Sequence, residues 1–248
     1  MNQTIKPAVV GTIVKDVKRS AEQGKAADAD IFEIRIDLLL KNEPDFEKYL
    51  KTDRADSALY EKIEMWLKDA KEQKLPLIGT IRSKKEGGFF ERSEAELFDL
   101  IQKVIPDVDY IDIERKSLKK NRMKAVEIAK KSKTGIIISS HFFNETPTVE
   151  KMANVLTKSF ESGADIAKIA VMPKTEEDVL KLYKAGLKAK EKGKTCLIAM
   201  GETGKQTRIA APIYGSVLSY GYINESAAPG QLKTNEIKNG FRILGLVD

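Results

Sequence analysis

A lysine, Lys168, stands inside an apolar run whose pattern predicts a buried β-strand. Across this run, Ile166–Met172, the other residues are apolar on both parities, so neither face of the strand suits water. Burial disfavours an ammonium group and lowers the pKa of a lysine, which frees the amine to attack carbonyl compounds. We therefore interpret Lys168 as a candidate nucleophile. The alternative is a lysine that Glu33, Asp112 or Glu114 neutralises, with no chemistry.

Two other predicted strands carry charged side chains on a single parity, which places those side chains on one face of a sheet. The charged sets are Glu33, Arg35 and Asp37 within Asp30–Leu39, and Asp112 and Glu114 within Tyr110–Glu114. Because buried charge is costly unless it is paired or functional, we expect Asp37 and Asp112 to belong to a self-neutralising network. Arg35 carries a permanently charged, fork-shaped guanidinium near a strand end, so we predict that it binds an anion.

Polar residues also follow the predicted ends of other strands. Arg82 ends the run "IGTIR", His141 ends "IIISSH", and Arg208 follows a glycine-rich loop after the seventh strand. His141 is the single histidine of the chain. Since an imidazole titrates close to neutral pH, His141 is a candidate acid–base catalyst. The arginines suit a substrate that carries a carboxylate.

Apolar runs and amphipathic segments alternate along the whole chain. The predicted strands are Ala8–Val14, Asp30–Leu39, Pro76–Arg82, Tyr110–Glu114, Gly135–Phe143, Ile166–Met172, Thr195–Gly201 and roughly Gly215–Tyr222. The segments between them have helical spacing, and one of them opens with Ser93 and Glu96 in a capping-box pattern. Eight such units in about 250 residues predict a (β/α)₈ TIM barrel. A doubly wound open sheet is the alternative, although no G-x-G-x-x-G follows the first strand.

In a barrel of this kind, the carboxyl ends of the strands form one face, and active sites are built there. We therefore expect Lys168, His141 and the three arginines to meet at that face. No linker or low-complexity segment interrupts the chain, which predicts a single barrel domain over residues 1–248. The stretch Asn42–Ala58 is predicted to be a loop followed by part of a helix.

The composition narrows the possible functions. The net charge is +6, but the lysines alternate with acidic and apolar residues on predicted helices, which indicates a solvated face and no nucleic-acid platform. The apolar runs are too short to cross a membrane, and the N-terminus lacks a secretory-signal pattern. A single cysteine, Cys196, is typical of a core residue in a reducing compartment, so we predict a cytoplasmic protein. One histidine leaves no multi-histidine metal site.

Seven segments together resemble the type I 3-dehydroquinate dehydratase family, whose members are imine-forming (β/α)₈ barrels of the shikimate pathway. They are "EIRID" (33–37), "TIRSKKEGG" (80–88), "YIDIE" (110–114), "SSHFFNETP" (139–147), "DIAKIAVMP" (165–173), "MGETGKQTR" (200–208) and "AAPGQL" (227–232). The segments occur in the expected order and cover nearly the whole chain. Jointly they are specific, although no single segment is.

The resemblance implies a set of roles. Lys168 would form an imine with the ketone of 3-dehydroquinate, His141 would transfer protons, and Glu86 would pair with the histidine and orient it. The substrate-binding positions would be Glu33, Arg35, Arg82, Arg208 and Gln231. Among these, Arg208 would bind the substrate carboxylate. Family members need no metal or diffusible cofactor, act on this small molecule and are commonly homodimers.

Two positions depart from the family pattern. The histidine usually lies in Ser-Tyr-His-Asp-Phe, whereas here Ser140 and Phe142 flank His141. The family also favours serine two residues before the proline of the last segment, where this chain has Ala227. The first departure predicts altered packing around the histidine. The second predicts the loss of one hydrogen bond to substrate or a different loop.

Two other functions compete with a dehydratase. A class I aldolase shares the barrel and the imine-forming lysine but cleaves a carbon–carbon bond, and the segment "MGETGKQTR" resembles a phosphate-binding loop. A non-catalytic barrel that binds metabolites belongs to a different class, and the presence of Lys168, His141 and Glu86 together argues against it.

Overall fold

A computed structural model describes residues 6–43 and 55–248. Eight strands form one sheet in which β1 lies between β2 and β8, and the remaining neighbours follow chain order up to β7. The strands are β1 (Ala8–Ile13), β2 (Ile31–Arg35), β3 (Leu77–Thr80), β4 (Tyr110–Glu114), β5 (Gly135–Phe142), β6 (Ile166–Val171), β7 (Lys194–Ala199) and β8 (Leu218–Tyr222). Every ladder is parallel, so the predicted (β/α)₈ barrel is confirmed.

The barrel is nearly closed, and its last seam is short. Strands β7 and β8 meet at a single bridge between Thr195 and Ser216, where the N–H of Val217 donates to the carbonyl of Thr195 at 2.8 Å. Gly215 turns the chain just before this bridge with a φ of 103°. The predicted eighth strand began roughly at Gly215, whereas the continuous strand β8 begins at Leu218, after the bridge at Ser216.

Helices cover the outside of the sheet between successive strands. They are α1 (Val17–Ala26), α2 (Ile36–Lys41), α3 (Ala55–Lys71), α4 (Glu94–Val104), α5 (Arg122–Ser132), α6 (Val149–Glu161), α7 (Glu176–Ala189), α8 (Gly201–Gly204), α9 (Thr207–Ala210) and α10 (Thr234–Ile243). The capping box of Ser93 and Glu96 at the start of α4 is confirmed. Most of the stretch predicted as a loop and part of a helix, Asn42–Ala58, lies outside the described residues.

The second strand ends earlier than predicted. It was expected to run to Leu39, but β2 ends at Arg35 and α2 begins at Ile36. The apolar residues Ile36, Leu39 and Leu40 are buried at helical spacing, and this spacing explains the helix. Asp37 therefore does not continue the inward-facing parity of the strand.

An aspartate opens each of three even-numbered strands and binds the preceding strand. Each carboxylate accepts one backbone N–H group at 2.8 Å: Asp30 from Val9, Asp109 from Leu77 and Asp165 from Ile136. The third residue after each aspartate is Glu33, Asp112 or Lys168, respectively. These bonds help fix the strand registers, and inward-facing residues of alternate barrel strands share one layer. The three charged side chains are therefore held at the same height in the barrel.

Apolar side chains fill the space between the sheet and the helices, as Phe32, Ile34 and Ile113 do with no exposed surface. Among the residues described, no helix is both long and apolar enough to span a bilayer. The extent of the domain over residues 1–248 stays a prediction.

Candidate active site

A cavity of about 120 Å³ opens at the carboxyl ends of the strands. All eight residues that the sequence predicts for the site line it: Glu33, Arg35, Arg82, Glu86, His141, Lys168, Arg208 and Gln231. Strand β2 presents Glu33 and Arg35, β5 presents His141 and β6 presents Lys168, and the segments after β3, β7 and β8 present the rest. Their meeting at one face of the barrel is thus observed.

Lys168 is buried, with 4% of its surface exposed, and three side chains surround its amine. Nζ lies 3.0 Å from Oδ2 of Asp112 and 3.9 Å from Oε1 of Glu33. It also lies 3.8 Å from the centroid of the Tyr220 ring. The pairing with carboxylates considered from the sequence is therefore present, and it occurs at the wall of an open cavity.

Glu33 is itself held in place by two threonines. Thr80 donates its hydroxyl to Oε1 at 2.9 Å, and Thr12 donates to Oε2 at 3.2 Å. Both oxygens of this carboxylate thus have a partner from a neighbouring strand. Glu33 faces the cavity in a fixed orientation beside the amine of Lys168.

Arg82 is the centre of a buried charge network. Its Nη1 donates to Glu114 at 2.9 Å and to Ser139 at 3.0 Å, and its Nη2 donates to Asp112 at 3.1 Å. Burial alone would lower the pKa of Arg82, but the carboxylates of Asp112 and Glu114 outweigh it and raise that pKa. The predicted network that includes Asp112 is present, and it leaves Arg82 charged and rigid.

Asp112 is ionised although it is buried. Burial opposes ionisation, but the charges of Arg82 and Lys168 outweigh it and hold the pKa of this carboxyl well below its usual range. Oδ1 also accepts a hydrogen bond of 2.5 Å from Ser139. Asp112 therefore links the two cations in one arrangement.

His141 and Glu86 form a pair in the same cavity as Lys168. Nδ1 of the imidazole lies 2.8 Å from Oε2 of Glu86, which also accepts the backbone N–H of His141 at 3.1 Å. The other oxygen, Oε1, accepts the backbone N–H of Lys116 at 3.1 Å. With its proton on Nδ1, the imidazole leaves Nε2 as a free base.

Burial perturbs the titration of both members of this pair. Burial, together with the nearby charges of Arg82 and Lys168, holds the pKa of His141 well below its usual range. Burial, reinforced by the charge of Glu114, raises the pKa of Glu86 to about 7. An unprotonated imidazole is therefore available near neutral pH, beside a carboxyl group that titrates there.

A glycine places the loop that carries Glu86. Gly87 has a φ of 75°, and a Cβ atom there would lie 2.2 Å from the ring of Phe143. The ring of Phe143 in turn stacks on His141, with 6.1 Å between the centroids. Only glycine lets the chain turn this tightly against the ring.

Arg208 differs from the other two arginines of the site. Arg35 donates from Nε and Nη2 to Asp37 at 2.9 Å, and Arg82 is paired as described above. The guanidinium of Arg208 is 2% exposed, donates from Nη1 to the carbonyl of Tyr220 at 3.2 Å and has a buried Nε without a partner. Within residues 6–43 and 55–248 it forms no ion pair, and burial lowers its pKa to about 10. Arg208 is therefore a buried cation with no carboxylate partner among the residues described.

Gln231 shapes the loop that closes the cavity. Its Oε1 accepts the backbone N–H groups of Ala227 at 2.6 Å and of Ala228 at 3.1 Å. Gly230, with a φ of 70°, packs so closely on Gly201 that a Cβ atom would lie 2.2 Å from the Gly201 carbonyl oxygen. The amide group of Gln231 is thus fixed at the cavity wall.

The residues beside His141 that depart from the family segment have their own contacts. Lys116 donates to the carbonyl of His141 at 3.1 Å, and its Nζ lies 4.5 Å from the centroid of Phe142. The hydroxyl of Ser140 is buried without a partner in the described part of the chain. Phe142, whose ring contacts Lys116, thus occupies the position where the family usually has an aspartate.

Sequence reasoning left two contact residues of Lys168 out of the site. Asp112 was assigned to a charge network alone, and Tyr220 was not considered. The signal for Asp112 was its place three residues after a strand-opening aspartate, the same place that Glu33 and Lys168 occupy. In the residues that the structure describes, no group of histidine, cysteine, aspartate and glutamate side chains is arranged to hold a metal ion.

The comparisons with known proteins agree with this geometry. The family model described as type I 3-dehydroquinase matches residues 8–248. A 3-dehydroquinate dehydratase of Methanosarcina acetivorans is 38% identical over 246 residues, which are 96% of this chain and 95% of that protein. One of Bacillus licheniformis is 36% identical over 241 residues, covering 95% of this chain and 90% of that protein.

Solved structures give the same result. The crystal structure of 3-dehydroquinate dehydratase from Geobacillus kaustophilus superposes with a TM-score of 0.84 at 27% identity and covers 96% of this chain and 91% of that one. A type I 3-dehydroquinate dehydratase from Clostridium difficile, with covalently modified comenic acid, gives 0.84 at 28% identity over 96% and 92%. On the match of the family model and of these relatives over almost its full length, the chain belongs to the type I 3-dehydroquinase family.

Proposed function

We propose that this protein is a 3-dehydroquinate dehydratase, a hydro-lyase that converts 3-dehydroquinate into 3-dehydroshikimate through an imine on Lys168. The observation that carries the mechanism is that Nζ of Lys168 and the imidazole of His141 line one buried cavity. A nucleophilic amine and a base in one site are what dehydration of a β-hydroxy ketone requires.

The imine supplies an electron sink. Nζ of Lys168 gives up one proton, and its lone pair attacks the ketone carbon. The carbonyl oxygen takes up that proton and a second one from the nitrogen and leaves as water, so the nitrogen keeps one proton as the iminium. Nε2 of His141 then removes the proton from the α carbon, and the electrons of that C–H bond form an enamine. These electrons return to expel the β-hydroxyl group, which takes the proton from His141 and leaves as water. Hydrolysis of the imine releases the conjugated enone and regenerates Lys168.

Glu86 orients the imidazole and favours its charged form after proton removal. Its carboxylate accepts from Nδ1, which directs Nε2 towards the cavity. Acid–base help of this kind contributes about 10²–10⁴-fold, so the imine and the positioning of the substrate supply the rest.

The three arginines have unequal parts in binding. Arg208 is buried and forms no ion pair within the part of the chain that the structure describes, which suits it to bind the substrate carboxylate in a bidentate geometry. Arg35 and Arg82 are already paired with carboxylates, which fix their positions at the cavity wall. Their remaining N–H groups donate hydrogen bonds to the substrate. Glu33 and Gln231 then bind hydroxyl groups of the polyol ring.

Two assays test this function. Adding 3-dehydroquinate should produce the absorbance of a conjugated enone, whereas a class I aldolase would release carbon–carbon cleavage products from a sugar or keto-acid substrate. A non-catalytic barrel would bind a ligand and yield neither signal. Absence of enone absorbance with a folded protein would reject the dehydratase.

The homodimer and the cytoplasmic location stay predictions. The first rests on the family resemblance, and the second rests on the single cysteine. Light scattering of the purified chain measures the subunit number directly. Cell fractionation measures the location.

A further inference from the structure

Tyr220 is the fourth member of the barrel layer that contains Glu33, Asp112 and Lys168. It faces inward from β8, lines the cavity and is 3% exposed. Three members of the layer are charged, and the fourth is an aromatic ring. Nothing in the mechanism above uses this ring.

The ring contacts the amine that forms the imine. Nζ of Lys168 lies 3.8 Å from the ring centroid, while Asp112 approaches the same nitrogen at 3.0 Å and Glu33 at 3.9 Å. A cation above an aromatic face is attracted by the ring quadrupole, and the attraction is stronger where water is excluded. Two carboxylates and one ring face therefore fix the position of Nζ.

The backbone of the same residue contacts the other end of the site. The carbonyl of Tyr220 accepts from Nη1 of Arg208 at 3.2 Å, and the neighbouring Ser219 donates its hydroxyl to the carbonyl of Arg208 at 2.5 Å. Arg208 thus depends on the main chain of β8, whereas Lys168 depends on the Tyr220 side chain. A substitution at Tyr220 changes the second contact and keeps the first.

The phenol hydroxyl does not account for this placement. It is buried and has no hydrogen-bond partner among the residues described, an arrangement that costs free energy. The ring contact to Lys168 is therefore the polar interaction that this side chain makes in the cavity.

We propose that Tyr220 is a positioning residue whose ring face holds the nitrogen of Lys168 as the ammonium before reaction and as the iminium afterwards. The inference rests on the proposed imine mechanism. When Nζ bonds to the ketone carbon and the carbonyl oxygen leaves as water, the nitrogen of the protonated imine again carries positive charge. The ring therefore faces a cation at both stages. Its attraction stabilises the iminium and raises its equilibrium population.

Tyr220→Leu and Tyr220→Phe test the ring. Substrate is mixed with enzyme, borohydride is added at set times, and the fraction of covalently labelled Lys168 gives the rate of imine formation. We expect Tyr220→Leu to slow trapping about tenfold or more, since a desolvated cation–π contact is lost and Nζ is misplaced. Tyr220→Phe keeps the ring and should trap at the wild-type rate.

Two further measurements separate positioning from lost packing. Tyr183→Leu makes the same change at another buried tyrosine, on α7 and away from the cavity, whose hydroxyl has no partner among the residues that the structure describes. This variant should trap normally. An analogue of the substrate with its ketone reduced cannot form an imine, and its affinity should be unchanged in Tyr220→Leu because Arg208 is held by the main chain.

A trifluorinated phenylalanine at position 220 keeps the ring shape and removes its attraction for a cation. This variant should trap more slowly than Tyr220→Phe, and it serves the test even if Tyr220→Leu does not fold. Equal trapping by these two ring variants would overturn the proposal, as would normal trapping by a folded Tyr220→Leu. Slow trapping by Tyr220→Phe would assign the role to the hydroxyl. Absence of any adduct in the wild-type enzyme would instead reject the imine mechanism itself.

Discussion

Lys168 donates a 3.0 Å hydrogen bond from Nζ to Oδ2 of Asp112, and the same oxygen accepts from Arg82 at 3.1 Å. One buried carboxylate is thus shared between the amine proposed to attack the substrate and the arginine at the centre of the charge network. The network predicted to be structural and the site predicted to be catalytic are the same group of side chains.

Asp112→Asn should therefore damage both stability and chemistry. Removing one charge from a buried pair leaves the partners uncompensated and typically costs about 3–5 kcal/mol in the free energy of unfolding. Turnover should fall as well, because Nζ loses its shortest contact. Urea unfolding and the enone assay measure the two effects. The control is Glu127→Gln, which breaks an exposed ion pair with Lys131 and should change neither stability nor turnover. An Asp112→Asn protein as stable as wild type would contradict the account.

Arg208→Met should weaken substrate binding without weakening the fold. A charge-assisted bond to a carboxylate contributes about 1.5–3 kcal/mol, which is a rise in apparent KM of roughly ten- to a hundredfold. Because burial lowers the pKa of Arg208 to about 10, the folded state disfavours this charge at neutral pH, and its removal should not reduce stability. Arg242→Ala, at an exposed ion pair with Asp28, is the control. An unchanged KM would move carboxylate binding to Arg35 or Arg82.

The His141–Glu86 pair should set the acid limb of the pH–rate profile. Burial raises the pKa of Glu86 to about 7, so the pair takes up a proton as the pH falls through that value and turnover should decrease. Glu86→Gln should lower kcat and move this limb to lower pH, because Arg82 and Lys168 still disfavour the imidazolium while its anionic partner is gone. Glu177→Gln, which changes an exposed carboxylate on α7, should leave the profile in place. A limb that does not move in Glu86→Gln would assign it to another group.

Much of this architecture was predictable because the strands and the helices of a barrel differ clearly in the spacing of their apolar residues. Strand β4 was predicted with its observed bounds, since charged residues on one parity and apolar residues on the other define both faces. The predicted end of β2 was wrong because Ile36, Leu39 and Leu40 are apolar, and an apolar run fits a buried strand and a buried helix equally well. Side-chain packing decides between the two, and a single sequence does not contain it.

The site was predictable as a set of residues but not as a set of pairings. Lys168 and His141 stand out because charge or titratable groups interrupt apolar strands. The family resemblance singled out Arg208 as the carboxylate partner, but the residues alone did not distinguish it from Arg82, since both follow strand ends and only the fold brings Asp112 to one of them. Tyr220 was hidden for another reason: a tyrosine in a strand is common, and its meaning comes from the amine above its ring.

His141→Ala should separate imine formation from the later proton transfer. Loss of the base should slow turnover severely, whereas Nζ of Lys168 can still attack the ketone because it lies on another strand. Borohydride should therefore still trap an adduct, formed more slowly if the imidazole also moves protons during imine formation. Mass spectrometry of the variant with substrate checks this. A variant that turns over normally would remove His141 from the mechanism.

The central claim is that Lys168 becomes covalently bonded to the substrate, and borohydride reduction during turnover tests it most directly. Hydride adds to the iminium carbon and fixes the substrate on the nitrogen as a stable amine. The account predicts one adduct per active site, located at Lys168 by peptide mass spectrometry and absent in an inactive Lys168→Ala variant. An adduct on another lysine, no adduct in an enzyme that turns over, or normal turnover by Lys168→Ala would contradict it.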